Sequence, residues 1–488
     1  MTVRTRCFLL IALLLGAGGC ALKNPPDAAD IRRDSLSNAH VPAAWTAQGA
    51  TSGLVRADWI DTFGDPALNS LVDEAIAYNA NLRIAGARVA QAAALVKVAG
   101  GELYPAASFL ARPGGKLGGD GSGLKGWLVS ASWEVDLWGR VRYGARAAED
   151  QYASAQADAD YARQSIAALV VKAWFGATEA QMQYAIANDM VRHADALRDL
   201  AGHRLRIGKG SQIEVTSAQA AAQSYRDTAR QLKLAREQSL RALELLLGRY
   251  PAAEVAVPAN LGPLPPVLPM GVPADLLERR PDILAAQRRI SAAFDLARQA
   301  DAARLPRVTL SAGLLSVSSE LFLLADRDNP SWSVGAGILL PLFRGGALKA
   351  QAEYRTAEQD QALASYGQVA LQAFGEVENA LAAESALRER ETILARAVSD
   401  NAKLFDLQQV RYRIGSGDLV AVTQQEIAYA SSRSGLVRVQ SEERMQLANL
   451  YLALGGGIDT AGASASASDR SRRTATPESR STDATAAR

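Results

Sequence analysis

The sequence predicts a mainly helical protomer that carries a small set of membrane β-strands and arose by tandem duplication. Three observations lead to this prediction: landmarks recur at a nearly fixed interval, two long stretches lack proline, and short apolar–polar alternations precede each of those stretches. Each half of the chain is therefore expected to contain a helix, two strands, a very long helix, a tight turn and a shorter return helix.

The duplication is visible in four landmarks that recur in the same order about 200 to 210 residues later. The segment 203–210, which ends in Ile-Gly-Lys-Gly, matches the segment 410–417, which ends in Ile-Gly-Ser-Gly. The other pairs are 104–105 with 305–306, 137–140 with 342–345, and 245–248 with 452–455. We therefore expect a first repeat over 61–250, a proline-rich connector over 251–273 and a second repeat over 274–456.

Long helices are predicted where proline is absent, because proline breaks helix interiors. No proline lies between Pro113 and Pro251, or between Pro341 and Pro477. The long helices expected there would each span roughly 100 Å at about 1.5 Å per residue. Two return helices are about half as long, so two further helices are expected to complete their columns. The predicted ranges are about 139–206 and 344–413 for the long helices, 212–247 and 419–454 for the return helices, and 67–100 and 274–303 for the additional ones.

Strands are predicted at about 106–115, 127–138, 307–318 and 331–341, where apolar and polar residues alternate. In 127–138, Trp, Val, Ala and Leu occupy one face, while Ser, Glu and Asp occupy the other. Alternation of this length with aromatic ends is typical of transmembrane β-strands. A half-buried strand of a soluble sheet alternates in the same way, but four of the seven tryptophans lie on or beside these strands. That placement favours the membrane interpretation.

The first residues form a targeting segment. Two arginines precede a short apolar run, and four small residues lead into Cys20, so a signal peptide is expected over 1–19. Small residues before a cysteine are typical of a bacterial lipobox, which predicts a lipid on Cys20 and a lipid-anchored extended segment over 20–60. Ordinary signal cleavage is the alternative, because Ala17 stands where leucine is usual. Ala21, in place of aspartate, favours the outer membrane.

Four strands cannot close a barrel, and open sheet edges are excluded from lipid. The chain is therefore expected to oligomerise. Three copies would give a trimeric 12-stranded outer-membrane β-barrel joined to a long periplasmic α-helical barrel. The tail over 457–488 is rich in Ser, Ala, Thr and Arg without periodicity, and it is expected to be disordered.

Composition argues against several other functions. Lys and Arg number 53 against 51 Asp and Glu, and this near-balance gives no basis for nucleic-acid binding. Both cysteines lie within the first 20 residues, and the three histidines lack metal-ligand spacing, so no metal site is expected. The glycine-rich segment 118–126 lacks the Ser or Thr that must follow the lysine of a phosphate loop, and a hairpin loop is expected there. The histidines are His40, His193 and His203.

Several short motifs add a specific resemblance. The most distinctive are Arg279-Arg280-Pro281-Asp282-Ile283 and Pro341-Leu342-Phe343-Arg344-Gly345-Gly346. Further matches are Trp59, Phe63, Asp65-Pro66, Leu68, Leu71, Ala75 and Asn79 in the first repeat, and 373–381 in the second. With these motifs the chain resembles, over about 40–455, the TolC-like outer-membrane efflux factors, in the lipoprotein branch that serves RND-type tripartite multidrug pumps.

The resemblance implies a passive exit duct that conducts substrates across the outer membrane. It implies a homotrimer that contacts outer-membrane lipid and works with a periplasmic adaptor and an inner-membrane RND-type transporter. It implies no catalytic residue, no cofactor and no nucleic-acid partner.

The resemblance also implies a gate at the periplasmic tip, beside the two turns that follow the long helices. In the family, an aromatic–arginine pair before the second turn bonds to an acid after the first turn. The corresponding residues here are Tyr412, Arg413 and Glu214. Glu214 has a competing role, because Ser211 and Glu214 form the sequence pattern of a helix capping box.

One departure from the family concerns the constriction. Family members often carry aspartates at the positions of Ala421 and Gln424, where a ring of acids binds cations. Because those acids are absent here, we expect cations to block the channel only weakly.

Two alternative functions stay open at this point. The outer channel of a type I protein-secretion system would share the fold, although Cys20 and the 279–283 motif favour the efflux function. A helical adhesin or structural rod would need no duplicated strand pairs, and the strands argue against it.

Overall fold

A computed structural model describes residues 22–47, 59–112, 125–265, 271–318 and 331–456. The helices are α1 (Ala28–Ser35), α2 (Pro66–Tyr78), α3 (Ala80–Gly101), α4 (Arg140–Arg206), α5 (Gln212–Leu247), α6 (Pro273–Arg279), α7 (Pro281–Ala302), α8 (Ala347–Ile414) and α9 (Leu419–Ala453). The strands are β1 (Ala106–Arg112), β2 (Lys125–Val135), β3 (Arg307–Ser318) and β4 (Ser331–Leu339), and a short 3-10 helix spans Asp61–Phe63. The predicted signal segment, Cys20, the 118–124 part of the glycine-rich loop and the 457–488 tail lie outside the described residues.

The long helices α4 and α8 contain 67 and 68 residues, which corresponds to roughly 100 Å each. Each begins directly after a glycine with a positive φ, Gly139 at 80° and Gly346 at 82°, a conformation that glycine adopts without steric cost. Helix α4 packs against α3, α5, α7 and α9, and α8 packs against α7 and α9. Across the described ranges, no helix is both long enough and apolar enough to cross a membrane.

The shorter helices stack end to end into two further columns. At the end of α5, the Asn79 side-chain amide donates to the Leu246 carbonyl oxygen at 2.8 Å, and α3 continues from there. At the end of α9, Arg280 Nη1 donates to the Ala453 carbonyl oxygen at 3.0 Å, and α7 continues from there. The predicted arrangement of two long rods and two composite rods is therefore confirmed.

The expectation of single helices near 67–100 and 274–303 was wrong at one residue in each. Asn79 is extended, with ψ of 129°, and its side chain accepts hydrogen bonds from the backbone N–H groups of Asn81 and Leu82, so it ends α2 and caps α3. Arg280 is also extended, with ψ of 124°. The following Pro281 disfavours helical geometry at Arg280, so the helix restarts there.

Both joints depend on a glycine in the left-handed region. A Cβ on Gly248, whose φ is 75°, would lie 2.8 Å from the Tyr78 carbonyl oxygen. A Cβ on Gly455, whose φ is 67°, would lie 3.1 Å from Cγ of Arg280. Glycine satisfies both the backbone conformation and the close approach, so the duplicated chain repeats the same joint.

The four strands form one antiparallel sheet in the order β1-β2-β3-β4. An apolar row crosses all four strands on one face, and a row of Ser and Gly crosses them on the other, as the alternation predicted. The apolar row is Phe109, Val129, Leu314 and Trp332; the polar row is Ser108, Ser130, Gly313 and Ser333. Strand β4 ends before Pro341, and β2 ends before Asp136, whose carboxylate accepts from the Arg142 backbone N–H at 2.9 Å.

Two large apolar clusters pack the helical columns together near the middle of the long helices. In one, the Trp59 indole stacks on Tyr451 with ring centres 5.2 Å apart, and the Trp174 indole donates to Asp65 at 2.9 Å. In the other, Ile31 of α1 is buried together with residues of α7 and α8. The N-terminal segment therefore lies along α7 and α8, in the half of the protomer that is nearer to the sheet.

Candidate functional site

The long helices end in two tight turns that lie at the same end of the protomer. After α4, Gly208 has a φ of 71°, and the Lys209 N–H donates to the Arg204 carbonyl at 2.8 Å. After α8, Gly415 has a φ of 85°, and the Ser416 N–H donates to the Arg411 carbonyl at 2.9 Å. These are glycine C-caps that reverse the chain within a few residues. The predicted gate residues lie beside them.

Tyr412 is fully buried, in the last turn of α8. The guanidinium of Arg204, in the last turn of α4, lies over the Tyr412 ring. Arg204 Nη1 also donates to the Tyr412 carbonyl oxygen, and Nη2 donates to the Lys209 carbonyl oxygen at 3.2 Å. Arg204 thus joins the end of one long helix to the end of the other.

Glu214 caps the N-terminus of α5. Its carboxylate accepts from the Ser211 backbone N–H at 3.4 Å, and the Ser211 hydroxyl accepts from the Glu214 backbone N–H at 3.2 Å. Both halves of the capping box are therefore formed. Glu214 is also close enough to Tyr412 for its charge to matter: burial raises the pKa of Tyr412, and the Glu214 carboxylate raises it further.

Within the described protomer, no hydrogen bond joins Tyr412 or Arg413 to Glu214. The Tyr412 hydroxyl is buried without a hydrogen-bond partner, and Arg413 is exposed. The fold thus brings Tyr412 and Glu214 into electrostatic range and leaves Arg413 on the surface. The predicted three-residue lock stays a prediction about the assembled channel.

Arg204 was not among the gate residues expected from the sequence. A basic residue in the last turn of a helix normally suits the helix dipole, and His203 and Arg206 lie in the same turn. Only the adjacency of α4 and α8 at the tip singles out Arg204.

A second set of contacts joins the two repeats farther along the helices from the tip. Arg433 of α9 donates to Asp189 of α4 at 2.9 Å. His193 Nδ1 lies 3.3 Å from the buried carboxylate of Glu426. These contacts connect α4 to α9, and therefore the first repeat to the second.

The upper end of the protomer presents the apolar face of the sheet. Trp332 is 79% exposed and Phe109 is 68% exposed, and exposed apolar surface of this kind marks a contact with a membrane or a protein partner. In the parts of the chain that the structure describes, no group of three or more His, Cys, Asp and Glu side chains could hold a metal ion.

A family model described as outer membrane efflux protein matches residues 71–249 and 272–456. The two matches cover most of the chain and fall one on each repeat. The chain belongs to the outer membrane efflux protein family. It is an efflux channel of the outer membrane, as predicted from the sequence, and the members of this family are transport channels.

The efflux channel is similar over most of its length to known channel proteins. It is 29% identical over 464 residues to the outer membrane protein OprJ of Pseudomonas aeruginosa, covering 92% of this chain and 95% of the relative. It is 27% identical over 427 residues to the probable efflux pump outer membrane protein TtgC of Pseudomonas putida, covering 85% and 88%. The crystal structure of the outer membrane protein VceC from Vibrio cholerae matches with a TM-score of 0.76 and 26% identity, covering 83% of this chain and 100% of that chain.

Proposed function

We propose that three copies of this chain form the exit duct of a tripartite efflux pump. The duct receives substrates from an inner-membrane RND-type transporter through a periplasmic adaptor and conducts them passively across the outer membrane. The observation that carries this proposal is a four-stranded sheet with an exposed apolar face and two open edges.

Within the described chain, the sheet is open at β1 and at β4. Backbone groups at an open edge have no water to bond to in lipid, so such edges do not occur in the hydrocarbon region. Pairing β4 of one copy with β1 of the next removes both edges. Three copies of four strands close a 12-stranded barrel, which falls within the range of known membrane barrels.

The helical columns extend from the periplasmic end of the sheet over roughly 100 Å. At their far end, Ile213 is 78% exposed and Ile414 is 72% exposed. Apolar side chains with this exposure are typical of a docking surface when they lie close together. We assign the periplasmic adaptor to this tip surface.

The path of the N-terminal segment supports a lipid on Cys20. The Lys23 backbone N–H donates to the Tyr143 hydroxyl at 2.9 Å, and Leu22 lies against Gly139 at the base of the sheet. Leu22 and Lys23 therefore fix the chain at the base of the sheet, and two residues of extended chain span at most about 7 Å. A lipid attached there would insert beside the barrel.

Native mass spectrometry of the detergent-extracted protein tests the oligomer, with a mass of three chains expected. A stable monomer would contradict it.

Photo-crosslinking tests the adaptor contact. A photo-crosslinking residue at Ile213 should capture the periplasmic adaptor, whereas the same residue at Tyr250, which is 87% exposed and far from the tip, should not. Equal capture at both positions would contradict the assignment of the adaptor to the tip surface.

Palmitate labelling tests the anchor. Wild-type protein should incorporate label and accumulate as precursor when globomycin is added, whereas Cys20→Ala should incorporate no label and should not respond to globomycin. Equal labelling of the two proteins would rule out lipidation at Cys20. Trimer formation should survive the substitution, because the barrel also holds the protein in the membrane.

A further inference from the structure

A large cavity lies at the periplasmic end of the sheet. Its volume is about 1070 Å³, and it is bounded by the N-terminal segment, the start of α4, the end of α7 and the link between β4 and α8. Aromatic and aliphatic side chains, among them Trp138, Leu305 and Phe343, form much of its wall. Five cationic side chains and one carboxylate complete the lining. The cations are Lys23, Arg298, Arg304, Arg344 and Lys349, and the carboxylate is Asp301.

The charges in this cavity do not balance. Asp301 pairs with both Arg298, at 3.3 Å, and Arg304, at 3.7 Å. Lys349 pairs with Glu353 of the same helix at 3.6 Å. Among the described residues, no carboxylate pairs with the side chain of Lys23 or Arg344. The cavity therefore has an excess of positive charge, and two of its cations are available to an anionic ligand.

With the sheet placed in the outer membrane as proposed above, the cavity lies at the level where headgroups meet the hydrocarbon. The Trp138 indole donates to the carbonyl of Pro306, the residue before β3, at 2.7 Å, and tryptophan is enriched at this depth of membrane proteins. Leu342 and Phe343 at the cavity mouth are each 88% exposed. Their apolar surface continues from the exposed face of β4, where Ile338 is 76% exposed.

The basic side of the cavity is held in place by a hydrogen-bond network. The Lys23 backbone carbonyl accepts from Arg146 Nη2 at 2.9 Å, and the Lys23 N–H donates to the Tyr143 hydroxyl at 2.9 Å. Arg146 is in turn bonded to Asp295, a fully buried carboxylate, at 2.8 Å. The segment that carries Lys23 is thus fixed before any ligand binds, which lowers the entropic cost of binding.

We propose that this cavity, here called the headgroup cavity, binds the phosphate of an anionic phospholipid from the inner leaflet of the outer membrane. Lys23 and Arg344 contact the phosphate, for which guanidinium and ammonium groups are suited donors. The acyl chains run along Leu342 and Phe343 toward the apolar face of the sheet. The proposal rests on the placement of the sheet in the outer membrane.

The test measures lipid retained by purified protein. Wild-type protein is exchanged into detergent with either phosphatidylglycerol or phosphatidylcholine, and bound lipid is counted by native mass spectrometry. Phosphatidylglycerol should be retained several-fold more than phosphatidylcholine. The double variant Lys23→Gln with Arg344→Gln should lose this preference. The matched control, Arg396→Gln with Lys403→Gln, removes two cations of α8 far from the sheet and should retain the lipid as wild type does.

Three results would overturn the proposal. One is equal retention of the two lipids by wild type, and another is an equal loss in the control variant. The third is displacement of phosphatidylglycerol by millimolar inorganic phosphate, which would identify a site for free anions. If the cavity is instead a contact between copies, the double variant will dissociate in lipid-free detergent, and this too contradicts the proposal. Bound lipid can be counted on monomer or trimer alike. A wild-type monomer would therefore refute the trimer without deciding whether the cavity binds lipid.

Discussion

The guanidinium carbon of Arg204 lies 4.5 Å from the centre of the Tyr412 ring. The same guanidinium donates to the Tyr412 carbonyl oxygen and to the carbonyl oxygen of Lys209 in the first tip turn. A cation over an aromatic ring contributes about 0.5–2 kcal/mol, depending on its desolvation. Arg204 therefore stabilises the contact between the ends of the two long helices at the tip.

Arg204→Gln should loosen the tip and raise the single-channel conductance in planar bilayers. The reason is that glutamine keeps a hydrogen-bond donor but loses both the cation–π contact and the second donor direction. Arg206→Gln is the matched control, because Arg206 lies in the same turn and is exposed. If both variants conduct as wild type does, Arg204 does not hold the tip.

Tyr412→Phe combined with Arg413→Ser should raise conductance several-fold if the predicted lock operates between neighbouring protomers. Within the described protomer, the Tyr412 hydroxyl has no hydrogen-bond partner, so Tyr412→Phe breaks no hydrogen bond inside a protomer and should leave the helix content measured by circular dichroism unchanged. A rise in conductance with unchanged helix content would then identify a contact made on assembly. An unchanged conductance in the double variant would show that the lock lies elsewhere.

Comparing substitutions of Glu214 and of its capping partner Ser211 distinguishes a gate role of Glu214 from a purely capping role. Ser211→Ala removes the N-cap side chain, a loss that typically costs about 1 kcal/mol. Glu214→Gln keeps an oxygen that can accept from the Ser211 N–H but removes the charge beside Tyr412. A higher conductance in Glu214→Gln but not in Ser211→Ala would support a gate role. Matching conductance in the two variants would reduce Glu214 to a helix cap.

Much of the architecture could be predicted because it depends on local rules. Proline exclusion placed the long helices at about 139–206 and 344–413, and the structure has them at Arg140–Arg206 and Ala347–Ile414. The second helix begins later than expected because two glycines, Gly345 and Gly346, both have positive φ and delay its start. Alternation indicated the two faces of the sheet, since side chains of a strand point to opposite sides in turn.

The joints and the tip could not be predicted in the same way, because they depend on contacts between distant segments. At Asn79, the side-chain oxygen caps the next helix locally, but the bond from its amide to the distant Leu246 carbonyl is one that no local pattern reveals. The break at Arg280 could have been found, because Pro281 restricts the residue before it. Arg204 was missed because its role depends on Tyr412, a neighbour 208 residues away in sequence.

Of the two arginines in the 279–283 motif, we expect Arg280 to contribute more to the stability of the protein. It is buried, it bonds to Asp282 at 2.7 Å and to Glu376 at 2.7 Å, and it holds the Ala453 carbonyl at the helix joint. Burial by itself would lower the pKa of Arg280, but its bonds to the two carboxylates outweigh burial and raise it.

Arg280→Gln should lower the free energy of unfolding by about 3 kcal/mol, the lower end for a broken buried ion pair, because Glu376 keeps contact with water. Arg279→Gln is the control; Arg279 forms no ion pair among the described residues, and the expected loss is below about 1 kcal/mol. Thermal unfolding followed by circular dichroism compares the two. Equal losses would show that the motif has no specific joint function.

Glu443 should make the stability of the helical region depend on pH. This carboxyl group of α9 is fully buried, and neither of its oxygens has a hydrogen-bond partner among the described residues. Arg388 approaches only to 3.8 Å, and the neighbouring Arg444 donates to the carbonyls of Leu261 and Gly262 instead. Burial, assisted by the charge of Glu391, raises the pKa of Glu443 to about 7.

The sign of the effect follows from proton binding. The folded protein binds the Glu443 proton more tightly than the unfolded chain, whose pKa is near the ordinary value of 4.5. The stabilising contribution is therefore complete below pH 4.5 and is lost as the pH rises to about 7. Glu443→Gln keeps the neutral form at every pH, so it should unfold at a higher temperature than wild type at about pH 8 and at a similar temperature at about pH 4.5. Glu442→Gln, at a partly exposed neighbour, should follow the wild-type profile; if Glu443→Gln also follows that profile, Glu443 is not the group that titrates.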